Sequence, residues 1–252
     1  INSAFIRVMN GSTRMSKSAP LSTRIGKARV TSAPEVAARA KRGIEAYTQA
    51  MAQNGTPMAH IIEKMADGTV AQGIGQIGLS ALNPSSLACA KGCAFCCILK
   101  GEDGGTITEI EAVEMYNALS VLQDDPDGRN WTPKACPSLD PETLACRTYE
   151  ARPVICRSYI STSVTACEKA NKGEAATGQG TLPPYHTYLA AHGISRAALK
   201  GTKRVSTYSL FELASQAIDG ASLETALARS KHSASELEAE LKRSKHDLSR
   251  AR

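Results

Sequence analysis

Residues 89–97 read CAKGCAFCC, placing Cys89, Cys93, Cys96 and Cys97 within nine positions. Spacings this short aim several sulfurs at one region, because the turns between them bring the side chains to a common side. Every other cysteine follows within seventy positions: Cys136, Cys146, Cys156 and Cys167. That second group is interspersed with Pro137, Pro141 and Pro153, so residues 136–167 are predicted to be irregular with one short helical turn. The fold is therefore expected to be mainly α, a helical domain around an irregular, cysteine-rich metal-binding segment.

Outward from the cysteines the patterns are helical. Residues 34–53 form a predicted helix with Pro34 at its first position and Gly55 just beyond its end. The stretch TPMAHIIEKMADG at 56–68 repeats that punctuation with Pro57 and Gly68. Gly73, Gly75 and Gly78 make residues 70–86 read as a flexible approach to the cysteines. No strand–turn–helix frame supports a dinucleotide site there. Thr108 and Glu111 form a capping box that opens a helix over 109–122, and residues 124–135 read as a turn-rich loop. Later helices are expected near 184–200, 208–218, 222–231 and 235–250, the last with Ser235 and Glu238 as its own capping box. Leu237, Leu241 and Leu248 give that helix a thin apolar side, suited to exposure or to a partner. Four segments result: a basic arm (1–34), a helical segment (35–84), the cysteine cluster (85–170) and a C-terminal helical segment (171–252).

Eight cysteines are an even number, and a disulfide scaffold is one reading. A chain of 252 residues can hold a core without such staples, however, and no export signal is visible near Ile1. Gathered thiolates repel one another unless a cation sits among them. Zinc takes four sulfurs in a tetrahedron, and a [4Fe–4S] cube likewise takes four cysteines. The expected ligands are Cys89, Cys93, Cys96, Cys97, Cys136, Cys146, Cys156 and Cys167, with an iron–sulfur cluster or else zinc as cofactor, in one site or two. Lys91, Lys100, Arg147, Arg152 and Arg157 surround them and can offset thiolate charge. The five histidines share no ligand-like spacing. His60 reads as packed or solvated, and His186 and His192 are weak ligand candidates.

Cys89-x3-Cys93-x2-Cys96 is also the spacing of radical S-adenosylmethionine enzymes, but the alternating β/α context of that class is missing. Taken together, CAKGCAFCC, ITEIEAVEM and ACPSLDPETLACRTYEARPVICRSY resemble the CxxCxxCC cysteine-cluster family, named for zinc or iron chelation, over about residues 85–170. Cys146, Tyr149, Arg152, Pro153, Cys156 and Arg157 keep the order of that family's second motif. One extra residue separates Cys146 from Tyr149, and three rather than two lie between Cys89 and Cys93. The resemblance implies metal chelation and supplies no activity; a structural or assembly role for the metal is the expectation. It leaves a cluster-dependent enzyme (redox, methyl transfer or radical type) as the alternative, and a flagellin lysine methylase carries a similar cysteine segment. Pro153 stiffens the approach to Cys156. Arg152 and Arg157 are expected to bond carbonyls or steady thiolate charge, and Tyr149 and Tyr159 to fill the small core around the site.

Charge is unevenly placed. Arg7, Arg14, Lys17, Arg24, Lys27 and Arg29 all precede the first acid, Glu35, and account for the whole formal +6. Such an arm suits a solvated tail, a transit remnant or a grip on an anionic partner. A protein partner on the arm or the last helix is the expected interaction. No basic stripe interleaved with aromatics marks a nucleic-acid module, and no apolar run reaches the roughly 18–20 residues of a membrane span. Thiolate ligands favour a reducing compartment, hence a cytoplasmic location, or an organelle matrix if the arm is a transit remnant.

Overall fold

The computed structural model describes residues 19–82, 87–98, 105–174 and 179–250. Four helices open it: α1 (Leu21–Lys27), α2 (Pro34–Gln53), α3 (Met58–Ala66) and α4 (Thr69–Ser80). After the first cysteines come strand β1 (Thr106–Ile107), α5 (Glu109–Leu119), a 3-10 turn and the single-turn α6 (Gly128–Trp131). The second cysteine group runs through α7 (Val154–Ser158), β2 (Tyr159–Ser161) and α8 (Val164–Lys172). Strand β3 (Gln179–Thr181), α9 (Pro183–Ala198), β4 (Tyr208–Ser209), α10 (Leu210–Ile218), α11 (Leu223–Ser230) and α12 (Glu236–Arg250) complete the described chain. The fold is mainly α. Its two sheets are antiparallel pairs, β1 with β4 and β2 with β3, in registers such as Ile107 opposite Tyr208 and Ile160 opposite Gly180. No helix among the described residues is long and apolar enough to cross a membrane.

Helix α9 is the axis of the larger core. It is buried on nearly every face, from Pro184 to Ala198, as a helix enclosed by others must be. Ile25 of α1, Ile44 of α2, Val70 of α4, Val154 of α7 and Leu241 of α12 all pack into the same cluster. Ala190, Ala191 and Gly193 let these neighbours approach, so close packing replaces the bulk that scarce aromatics would supply. A second core joins β1, α5, α10 and α11 through Ile107, Met115, Leu119, Leu213 and Ile218. The larger core draws on residues from before and after the cysteine segment, and the second joins residues 107–119, inside that segment, to helices that follow it.

Several expectations are corrected. Residues 70–80 are not a flexible approach but most of α4, and the glycines are what allow it. A Cβ at Gly75 would stand 3.0 Å from Val154 and 3.1 Å from Tyr188, and one at Gly73 would meet the Tyr47 ring at 2.6 Å. Glycine costs helix propensity, about 1 kcal/mol relative to Ala, yet here it opens the seams with α2, α7 and α9. The end of that stretch, residues 83–86, lies outside the described residues. The loop after α5 contains α6, started by the Asp127 carboxylate, which accepts from the Arg129 N–H at 2.7 Å. Residues 136–167 hold more than one turn, since Ser163 caps α8 by accepting from the Ala166 N–H.

Both termini of the described chain join the body. Arg24 of α1 is buried and donates to Thr202 Oγ1 at 3.0 Å and to the Lys200 carbonyl at 3.3 Å. The arm is therefore not a solvated tail from Ala19 onward. Arg7, Arg14 and Lys17 lie outside the described residues. Leu237 and Leu241 are buried and Leu248 packs against the same core, so the apolar side of α12 is filled by its own chain.

One side chain ties these parts together. The capping box predicted at Thr108 and Glu111 is present, and the Glu111 carboxylate does more than cap. It accepts from Thr108 N at 2.9 Å and Oγ1 at 2.8 Å, from Val154 N at 2.8 Å, and from the Tyr188 hydroxyl at 2.5 Å. It thus joins α5 to the first residue of α7 and to the middle of α9.

Glu111→Ala strands these buried donors and is expected to lower unfolding stability by about 2–4 kcal/mol, measured by urea titration. Burial holds this carboxyl above its ordinary value, so the folded chain keeps a proton that the unfolded chain has already released. The stability contributed by Glu111 therefore falls as pH rises from the ordinary glutamate range through the raised value. Glu111→Gln is expected to remove that part of the pH slope.

Candidate metal centre

Three stretches of chain converge on the cysteines. In the first, Gly92 takes φ +83°, a conformation that favours glycine, and the reversal lets Cys93 N donate to the Ala90 carbonyl at 3.0 Å. A 3-10 turn, Phe95–Cys97, follows. The second stretch pairs with it: Cys136 N donates to the Cys97 carbonyl at 2.8 Å, and Ile98 bridges Ala135. Leu139 and Cys146 form a further antiparallel bridge, and Cys136, Leu139, Ala94 and Ala135 share a small apolar cluster with Cys97 and Cys146. Gly128 is needed beneath this turn, since a Cβ there would meet the Cys136 carbonyl at 2.3 Å. In the third stretch, α7 carries Cys156 and α8 carries Cys167. Strand β2 between them receives the first cysteine: Ala88 N donates to the Ser161 carbonyl, and Ser161 N donates to Cys89 Sγ at 3.3 Å.

All eight cysteines line one cavity of about 750 Å³. Cys89 and Cys96 are exposed, Cys136 and Cys167 buried, and the other four lie between. All eight are free thiols. The structure therefore brings together every cysteine that the sequence nominated, across separations of up to 78 positions (89 to 167).

Their electrostatics are those of acids crowded together. Burial pushes the Cys136 thiol up to about 11. Cys156 rises well above the ordinary thiol value, first through burial and then through Cys136 and Cys146. Cys97 also rises well above it, first because its thiol shares a hydrogen bond with Cys96 at 3.9 Å and then through loss of solvent around it. Cys96 takes the other side of that exchange: the contact with Cys97, helped by the Arg152 charge, lowers it to about 7.

The basic residues divide. Arg152 lines the cavity, and its guanidinium lies 3.5 Å from the centre of the Tyr149 ring. Arg157 donates instead to the Arg152 carbonyl at 2.7 Å and to the Glu150 carbonyl, bracing the turn before α7. Lys91 lines the cavity, Arg147 donates to the Pro137 carbonyl, and Lys100 lies outside the described residues. Tyr159 is half-buried in the wall, whereas Tyr149 is 55% exposed and so stands at the surface rather than in a core. His186 and His192 do not line the cavity. His186 Nδ1 meets Ser244 Oγ at 2.7 Å, and His192 bonds the Ser206 carbonyl, with burial holding it neutral at about 4. His60 is on the surface beside Glu63.

Two contributors carried no sequence signal. Ser161 acts through its backbone, 72 positions from Cys89. Met115 of α5 lines the cavity and accepts weakly from Ser138 and Thr148 through its sulfur.

The donor set suits a soft, thiophilic metal. Thiols raised by burial and by one another need a cation before they can ionise together. Tetrahedral zinc, with Zn–S bonds of about 2.3 Å, requires sulfurs about 3.8 Å apart. Among the described residues no three His, Cys, Asp or Glu side chains gather tightly enough to hold a single ion. The sulfurs instead surround a wider space.

The CxxCxxCC family model, "Putative zinc- or iron-chelating domain", matches residues 88–176. No curated protein and no solved structure matches the chain. The matched segment holds all eight cysteines, and the match supports metal binding, by zinc or iron.

In the metal-free chain at pH 7, alkylation should reach Cys96 before Cys136. Their values of about 7 and about 11 separate the thiolate fractions by nearly four orders of magnitude. Lower nucleophilicity at Cys96 returns about two of these, leaving about 100-fold in rate before access is counted. Timed labelling with peptide mass mapping measures the ratio.

Proposed function

We propose that the chain is an iron–sulfur protein in which cluster ligation by the 89–167 cysteines braces a segment that cannot hold itself together. The observation carrying this reading is that eight thiols, twice the number one zinc ion takes, line one space of about 750 Å³. A cluster distributes its metal atoms over such a space, whereas zinc draws its four sulfurs to one point. The bracing role is supported by how little else holds the wall. Around Cys97, Cys136 and Cys146 themselves the buried apolar cluster is Ala94, Ala135, Cys136 and Leu139, far less than a stable independent core. Metal binding in such a segment is folding energy.

An iron–sulfur cluster also carries electrons. The exposure of Cys89 and Cys96, beside Arg152 and Tyr149, favours a second reading in which the centre exchanges electrons or reacts with a small molecule at the cavity mouth.

Protein purified without oxygen is expected to contain iron and acid-labile sulfide in equal amounts, with broad visible absorption that reduction bleaches. Colourless protein with stoichiometric zinc overturns the iron–sulfur reading. Removing the metal with a chelator should abolish amide-exchange protection around residues 87–98 and 135–150 while α9 keeps its own. Unchanged protection there after metal loss overturns the bracing role and favours the reactive one.

A further inference from the structure

We propose that a second cavity, which shares no residue with the cysteine cavity, binds a soluble, non-aromatic anion carrying two or more phosphate groups. It encloses about 520 Å³ between Arg196, the turn that follows α9, and residues 231–234 on the way from α11 to α12. This site goes beyond the metal centre and does not depend on it.

Charge marks the cavity. Arg196, Lys200, Lys203, Arg204 and Lys231 line it together with His232, and no Asp or Glu does. Beyond the basic arm the chain carries as many acids as bases, so this is a local concentration of one sign. Glu63, 3.8 Å from Lys203, and Glu238, whose charge acts on Arg196, stand outside the lining. The carbonyl end of α9 accounts for cations at 200 and 203 and leaves Arg204 and Lys231 unexplained. A cleft lined by one sign focuses its field and gathers counter-ions.

The cations stand over a built floor. Arg196 is half-buried and clamps the two edges together. Its Nε donates to the Val205 carbonyl at 3.0 Å and its Nη1 to the Ala234 carbonyl at 3.1 Å, using two of five N–H donors. Burial works against its charge, and an anion in the cavity relieves that cost. Behind the rim, buried Arg24 donates to Thr202 Oγ1 at 3.0 Å. Having accepted from a cation, the Thr202 hydroxyl keeps its own O–H to donate, and polarisation strengthens that donation. Ser206, also in the lining, is fixed through its carbonyl, which lies 2.9 Å from His192 Nε2.

The lining also chooses among anions. One phosphate group carries a charge of about −1.5 to −2 at neutral pH, so five cations suit more than one such group. Three of the five are lysines, which bind as point charges and suit phosphate rather than the planar pairing of arginine with carboxylate. No Phe, Tyr or Trp lines the cavity, so a nucleobase finds no stacking platform. None of the large apolar side chains exposed on the described surface belongs to it, so nothing here inserts into lipid.

Calorimetry of the whole chain with inorganic pyrophosphate at low ionic strength tests the site. Metal is counted before and after, since pyrophosphate itself binds metal. One pyrophosphate per chain is expected. Lys200→Gln/Lys203→Gln/Arg204→Gln removes three exposed side chains and is expected to weaken binding about 10-fold or more. Lys231→Gln, on the opposite edge, should shift affinity the same way. Arg39→Gln/Arg42→Gln removes two exposed cations of α2 outside the cavity and should leave affinity within about twofold. No saturable binding by the unaltered chain overturns the proposal. Unchanged binding in the triple variant, or equal loss in the α2 variant, overturns it as well. Citrate bound as tightly as pyrophosphate overturns the assignment to phosphate.

Discussion

The Glu111 carboxylate is the point on which the structure turns. It is 1% exposed, and an ionised group so deep in a protein is costly unless its oxygens are fully engaged. Four donors from three separate elements do this. Thr108 belongs to the N-terminus of α5, where a negative side chain also meets the favourable end of the helix dipole. Tyr188 comes from the middle of α9, the axis of the larger core. Val154 N–H lies two residues before Cys156, so the carboxylate sets where the cysteine-bearing helix begins. Pro153 keeps Arg152 before it in an extended conformation, so α7 does not extend backward. Helix α5 reaches the second core through Met115 and Leu119, and the same contact network thus holds both cores and one wall of the metal cavity.

Around that anchor the molecule has two ways of being held. The α9 side is packed like an ordinary helical protein, with glycine and alanine at the seams and leucine, isoleucine and tyrosine filling the spaces between. The cysteine side has a thin apolar cluster and a wall of thiols that oppose ionisation together. Arg152 and Lys91 supply positive charge at the cavity, but Arg152 also stacks on Tyr149 and Arg157 is committed to backbone carbonyls. The protein's own cations therefore do not balance eight thiolates, and a metal is the natural counter-charge.

How much of this could be read from residues alone follows from the range of the interactions. The Thr108–Glu111 box is local and was legible, as were α2, α9, α10, α11 and α12 from punctuation and period. The cysteines were legible as ligand candidates because their chemistry is distinctive, whatever their spacing, and the structure places all eight around one cavity. Helix α4 was misread since three glycines argue locally for looseness. Their purpose is visible only when Tyr47, Tyr188 and Val154 come up against them. The filled leucine side of α12 was likewise hidden, because its partner is α9, some fifty residues earlier. Glu111 was identified as a cap, but its bonds to Val154 and Tyr188 span 43 and 77 positions and leave no trace in local pattern. The pairing of Cys89 with the Ser161 backbone is invisible for the same reason.

The bond between Glu111 and Tyr188 has a consequence for the order in which the chain matures. During synthesis the last cysteine, Cys167, emerges well before Tyr188, and before Leu210, which closes part of the cavity wall. Domains fold as units once their long-range contacts are available. The nascent chain therefore carries all eight thiols with neither the α9 axis nor the carboxylate's third tether in place. Metal delivered at that stage would meet an unformed pocket, and oxidants would meet unsheltered sulfur. The wall of the cavity is therefore complete only once α9 has docked and Leu210 has closed its side.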